Sequence, residues 1–201
     1  MFAYASRTGT RRNLEALRKA GWGIMVSAKG VLRTEGFAHY SLDNGAWWAF
    51  ANKQPFDEAA FLKAYVLASS ADFVVLPDIV AGGLRSLDFS LAWRDRLDRV
   101  CPQLLAVQDG MEAGDVSQFV GPELGIFVGG TTDWKEQTMA AWGRLARECG
   151  AYLHVGRVNS IRRIALCRAA GADSIDGSSV SRYAVTLPKL ENARQQLDLM
   201  L

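Results

Sequence analysis

The sequence predicts a compact α/β fold, a (β/α)8 barrel, and two observations carry that prediction. Short β-rich runs alternate with amphipathic helical stretches along the chain. Several runs are apolar on both faces, Phe73-Val74-Val75-Leu76 most clearly, and such strands belong in a parallel sheet covered by helices. At 201 residues the barrel sits at the short end of that fold's size range, and the chain reads as one domain spanning 1–201. An open doubly wound sheet is the alternative. It has the weaker claim, because no Gly-rich dinucleotide loop follows the first run.

The eight candidate strands are residues 2–6, 23–27, 38–42, 73–77, 104–108, 125–129, 152–156 and 173–177. Leu14 and Leu17 mark the first helix, and Phe61, Ala64, Tyr65 and Ala68 share a face of the next. Met139, Trp142, Leu145, Ala146 and Cys149 line another, and Ile161, Ile164 and Ala165 the one after. Asn159-Ser160 and Thr131-Thr132-Asp133 have the composition of N-caps, and Gly150 and Gly171 stand where helices should stop. Between Ser27 and Ala38 the chain is too short for a crossover helix, so an irregular excursion is expected there.

Composition excludes several classes. Hydrophobic residues make up 49% and charged residues 22%, which is the balance of an ordinary globular domain rather than a disordered one. No apolar run approaches the roughly 20 residues of a membrane helix. The first residues lack the apolar stretch of a secretory signal, so a cytoplasmic setting is expected. Cys101, Cys149 and Cys167 are far apart and have no metal-ligand spacing, and they read as buried thiols. A net charge of +2 permits a local basic surface without demanding one.

In such a barrel, chemistry collects where the strands end. The polar residues there are Asp43-Asn44, Asp78, Gln108-Asp109, Gly129-Gly130, His154 to Arg157, and Asp173 with Asp176. Carboxylates and an amide make a pocket for a planar, hydrogen-bonding ligand, and adjacent glycines let backbone groups approach its edge. Trp47 and Trp48 offer aromatic faces. Each group also has a plainer reading. Asp43-Asn44-Gly45 and Asp109-Gly110 are turn compositions, Asp78 is placed to cap a helix, and His154 alternates with Tyr152 and Gly156 as an interior residue would. Trp93 and Trp142 read as packing. Asp176 either attacks a sugar carbon or holds a substrate.

Five segments in order resemble the tRNA-guanine transglycosylase superfamily, especially its short phage and bacterial relatives that act on guanine in DNA. Asp43-Asn44-Gly45-Ala46-Trp47 resembles the family's Asp-Ser-Gly-Gly-Phe, and Val75-Leu76-Pro77-Asp78 the strand whose terminal Asp reads the guanine edge. Ala106-Val107-Gln108-Asp109-Gly110 is similar to Val-Gln-Gly-Gly, and Phe127-Val128-Gly129-Gly130 to the Gly-Gly backbone contact. His154-Val155-Gly156-Arg157 followed by Gly171-Ala172-Asp173-Ser174-Ile175-Asp176 resembles Gly-Val-Gly, a helix, and Gly-Val-Asp-x-Phe-Asp. Arg182 falls six residues on, where the family has the Arg of Pro-Thr-Arg. Ala46 and Asp109 replace glycines, Ser178-Ser179-Val180-Ser181 replaces an apolar-Pro-Thr run, and the Cys-x-Cys-x-x-Cys…His zinc module is absent.

The resemblance implies replacement of guanine in DNA by a 7-deazaguanine through a covalent aspartyl-glycosyl intermediate, with neither metal nor cofactor. On that reading Asp176 is the nucleophile and Asp43 handles protons. Asp78, Gln108, Gly129 and Gly130 hold the base, Trp47 stacks on it, and Arg157, Arg162, Arg163 and Arg182, with Arg85, meet the nucleic-acid backbone. Partner proteins that present the DNA fit the same scheme. The alternatives are the same chemistry on tRNA, a small-molecule barrel enzyme with a phosphate site at Gly129-Gly130 and Gly177-Ser178-Ser179, and a non-catalytic nucleic-acid-binding barrel.

Overall fold

A computed structural model describes residues 1–7, 10–183 and 185–196. Eight parallel strands close into a barrel in the order of the sequence. They are β1 (Phe2–Ser6), β2 (Gly23–Ser27), β3 (Tyr40–Asp43), β4 (Val74–Val75), β5 (Gln103–Val107), β6 (Leu124–Val128), β7 (Leu153–Val155) and β8 (Ser174–Gly177). The helices between and after them are α1 (Arg11–Lys19), α2 (Ala46–Ala51), α3 (Glu58–Tyr65), α4 (Leu84–Arg96), α5 (Ala113–Val116), α6 (Thr132–Cys149), α7 (Ile161–Ala170), α8 (Ser179–Arg182) and α9 (Thr186–Gln195). Closure pairs Tyr4 of β1 with Gly23 of β2 on one side and with Asp176 of β8 on the other.

The period-2 alternation of each strand divides its side chains between two cores. Outward residues such as Ile24, Val26, Leu42, Leu105, Val107 and Ile126 pack beneath the helices. Inward residues Tyr4, Met25, Phe73, Val75, Leu104 and Ala106 fill the barrel with Phe2 and Phe127. That double burial explains the near-continuous apolar runs. The same inward parity continues upward into Asp43 two residues after Ser41, and into Asp176 two residues after Ser174. The barrel therefore aims these carboxylates into its mouth by register.

Several boundaries differ from the sequence reading. The third strand starts at Tyr40 and ends on Asp43, so Asp43 belongs to the strand itself. The fourth is only Val74–Val75, and Pro77, which has no N–H to donate, stands just beyond it. Residues 28–39 form turns without a helix, as the short connection requires. On α7 the buried stripe is Ile164, Cys167 and Ala170. Ile161 and Ala165 face outward, because the helix turns its 164–167–170 row to the barrel. Trp93 and Trp142 are packing residues, both fully buried. Ser160 caps α7 by accepting from the Arg163 N–H, and Gly150 and Gly171 end their helices in the left-handed conformation. Cys167 is buried, whereas Cys101 and Cys149 are half-buried. Among the described residues no helix is long and apolar enough to cross a membrane.

Candidate active site

One cavity of about 220 Å3 occupies the mouth formed by the strand ends. Asp43, Asp78 and Asp176 line it, with Gln108, Gly129, Gly130, Trp47 and Arg157. Met25, Val75, Ala106 and Phe127 supply apolar wall. The space is below the roughly 300–1,000 Å3 of drug-sized pockets and suits one small planar molecule.

Asp176 is 6% exposed at the end of β8. Its Oδ1 lies 3.0 Å from His154 Nε2 and accepts from the Arg157 backbone N–H at 3.3 Å. His154 Nδ1 lies 2.7 Å from Ser174 Oγ. With Asp176 ionised, Nε2 carries the imidazole proton and donates it, and Nδ1 accepts from the Ser174 hydroxyl. The order Ser–His–Asp resembles a hydrolase triad, but Ser174 is wholly buried in the barrel and meets no substrate. Phe127 stacks on the imidazole with ring centroids 5.1 Å apart, which fixes its plane. The plainer reading of His154 as an interior residue therefore describes its burial and omits its contact with Asp176.

Asp43 faces Asp176 across the mouth. Burial raises its carboxyl above the usual carboxylate range, and the nearby Asp176 charge adds to the rise. Hydrogen bonds from the Ser27 hydroxyl and the Gly45 N–H oppose it. Asp78 does not cap a helix, because α4 begins only at Leu84. Its carboxyl accepts from Asn44 Nδ2 at 2.7 Å on Oδ1 and from Gln108 Nε2 at 3.1 Å on Oδ2. Burial pushes it up to about 6, Asp43 adds to the rise, and the two amides draw it back.

Gln108 is held on all sides. Its Nε2 also donates to Ser86 Oγ at 2.8 Å, and its Oε1 accepts from the Ala81 N–H at 2.5 Å. Both amide hydrogens are thereby used, so Gln108 orients Asp78 as much as it faces the cavity. Asn44 does the same from the opposite side. It donates also to the Leu76 carbonyl at 2.6 Å, while its own Oδ1 accepts from the Ala46 N–H. Asp43 ends β3, Asn44 and Gly45 lead from it into α2, and Asp43 and Asn44 both line the cavity.

Gly130 adopts φ 70° beside the cavity. A Cβ there would stand 2.6 Å from Asp109 Oδ2 and from the Trp134 ring, so no other residue fits without displacing them. Asp109 is a structural residue, its carboxylate accepting from the Thr131 N–H and hydroxyl. Asp173 likewise accepts from the Leu153 N–H at 2.8 Å.

Arg157 departs from the expected rim position. Its backbone sits at φ 58°, uncommon for a non-glycine residue. The guanidinium donates to the Gly130 carbonyl and lies 4.1 Å from the Trp47 ring centroid. It thus roofs the cavity. Arg162 and Arg163 do not line it: both pair with Glu136 of α6, at 2.8 and 3.2 Å. Both ion pairs tie α7 to α6. Arg182 is exposed on α8, and neither it nor Arg85 lines the cavity. Lys135 has no sequence signal. It is buried on α6, donates to the Gly156 carbonyl, and is driven down to about 8 by burial, with Arg157 adding to the fall and Asp176 opposing it.

Compared with models of known protein families and with curated proteins, the chain matches none. Among the described residues no cluster of His, Cys, Asp and Glu has the makings of a metal site.

Proposed function

We propose that the protein exchanges guanine in DNA for a 7-deazaguanine by double displacement at the sugar. The supporting observation is that one small cavity gathers a buried, doubly hydrogen-bonded carboxylate, a second carboxyl raised above its usual range, and a carboxyl–amide edge opposite them. Guanine presents N–H donors along one edge, and the Asp78 carboxylate offers acceptors for them. The backbone at Gly129-Gly130 meets the remaining edge, and Trp47 closes over the face. A target nucleotide must leave its stack to enter a space this small.

Both N–H donors to Asp176 converge on Oδ1, which leaves Oδ2 for attack on C1′. As the Oδ2–C1′ bond forms, the C1′–N9 bond breaks and its electron pair leaves with guanine. Asp43, whose raised carboxyl holds a proton more readily than an ordinary aspartate, protonates the departing base. The incoming base then surrenders its proton to the Asp43 carboxylate, bonds to C1′, and expels Asp176 as carboxylate. Two inversions give net retention.

Asp176→Asn tests the reading, with nucleoside mass spectrometry of DNA and of tRNA incubated with labelled guanine or a 7-deazaguanine. Wild type should label DNA, and the variant should label neither polymer and form no covalent adduct. Labelling by the variant at the wild-type rate removes Asp176 as nucleophile. A folded wild type that labels neither polymer removes base exchange altogether.

A further inference from the structure

Beside the cavity, α2 buries only Ala46 and Ala49. Its rings Trp47, Trp48 and Phe50 stand 47%, 43% and 51% exposed. Three large apolar rings left together at the surface, rather than scattered singly, mark a binding surface. The Trp47 and Phe50 rings touch, with centroids 5.7 Å apart. Cations stand over two of the rings: Arg157 over Trp47, and the Lys29 ammonium 4.6 Å from the centroid of Trp48. Lys53 follows the helix, exposed.

Successive residues on a helix point about 100° apart. Trp47 accordingly lines the cavity, while Trp48 turns to a second, open hollow of about 670 Å3 walled by Lys29, Asn52, Gln54, Pro55 and Phe56. Asp57 and Glu58 also border that hollow, but each carries a cation. Asp57 takes Lys29 at 2.8 Å and caps α3 through the Ala60 N–H, and Glu58 pairs with Arg96 at 3.3 Å. Exposed rings interleaved with cations, and no unmatched acid among them, complement a chain of bases and phosphates.

We propose that α2 is a stacking platform for single-stranded DNA flanking the target base, with bases on Trp48 and Phe50 and phosphates met by Lys53. The strand runs from the cavity mouth across α2 into the second hollow. This assignment rests on the cavity as the target-base pocket, and it is tested without a target. Fluorescence anisotropy with labelled dT15, which has no guanine, compares wild type with Trp48→Ala and Trp48→Phe. Exchange on a guanine-containing strand is measured in parallel.

Wild type should bind dT15, Trp48→Ala should bind it roughly 5- to 150-fold more weakly, and Trp48→Phe should recover most of the loss. Lys53→Gln should reduce the slope of log affinity against log salt by about 0.7. An unchanged thermal midpoint in the exposed-site variant Trp48→Ala verifies that its fold is intact. Equal dT15 binding by wild type and Trp48→Ala overturns the platform, as does a dimer that Trp48→Ala dissociates in sedimentation, since a second copy would then cover the rings. If binding depends on Trp48 while no guanine is exchanged, the platform stands and base exchange falls. If exchange proceeds and binding ignores Trp48, the reverse holds.

Discussion

Replacing Asp78 with asparagine separates the charge of this residue from its shape, and pH supplies the readout. The carboxyl sits between Asn44 and Gln108, and burial lifts it from 3.8 to about 6. The folded protein therefore holds this proton more tightly than the unfolded chain. Below about pH 4 both states are protonated, and the stability contributed by the group is fully present. Between about pH 4 and 6 the unfolded chain releases the proton first, and that contribution drains away as pH rises through the folded value. A rise from 3.8 to about 6 corresponds to about 3 kcal/mol, and partial solvent contact trims it to about 2–3.

Asparagine at 78 has the same outline but offers one acceptor and one donor. Its NH2 must therefore meet either the Asn44 or the Gln108 amide, donor against donor, at about 1–3 kcal/mol independent of pH. The variant should be less stable than wild type at pH 4.5, and the gap should close or invert by pH 8. Urea unfolding at pH 4.5, 6 and 8 measures this, with the slope m checked for constancy. Titrating groups that do not interact with Asp78 cancel in the difference between the two proteins, while Asp43, which does, contributes to the same pH dependence. A gap constant to about 0.5 kcal/mol across that range would refute the burial argument, and with it the raised affinity of Asp78 for its proton.

Two further substitutions probe the frame beneath the site. His154→Phe fits the ring cage of Phe73 and Phe127 but strips Asp176 Oδ1 of its imidazole donor and Ser174 of its partner. It should destabilise the fold by about 1–3 kcal/mol and lower base exchange at least about tenfold, and exchange at the wild-type rate would show that the imidazole does not position the carboxylate. Gly143→Ala on α6 places a Cβ 2.0 Å from the Ala170 carbonyl of α7. Calorimetry should show a lower midpoint, from overpacking of about 1–3 kcal/mol or more, because the obstacle is backbone.

The barrel was legible because closure imposes a repeated local signature. Each strand needs apolar residues on both faces, and β1 and β2 coincide residue for residue with runs read from the sequence. The convergence of Asp43, Asp78 and Asp176 on one cavity was legible from polar residues recurring after successive strands, since a parallel barrel gathers all those strand ends at one mouth. What escaped is tertiary. Asn44 reads as turn composition, yet its amide reaches across to Leu76 and Asp78 on the next strand. Lys135 looks like any charged residue in a first helical turn, and only the closing of α6 over Gly156 buries it. Arg162 and Arg163 look free until α6 brings Glu136 to them. Arg157 follows a glycine at a strand end, and nothing local foretells a left-handed backbone that folds its guanidinium back over Trp47.

The electrostatics of the mouth also bear on the phosphate alternative. An anion bound in the cavity would meet Asp43, Asp78 and Asp176 at close range. The cations that line the space are Arg7 and Arg157. Arg7 pairs with Glu35, and Arg157 is engaged by the Gly130 carbonyl and the Trp47 ring. The loop at Gly177-Ser178-Ser179 offers no open cradle either, since the Ser179 N–H donates to Asn159 Oδ1 and α8 is a single turn. A dianion in the cavity would thus face three carboxyl groups against two guanidiniums that are already engaged, and like charges at contact in a low-dielectric site are unfavourable. An uncharged ring edged with N–H donors reverses every one of these signs. A nucleotide within a strand delivers such a ring while its phosphates stay outside, where Lys53 stands exposed. On the proposed reading, charge alone would favour a base on a chain over a free sugar phosphate in this cavity.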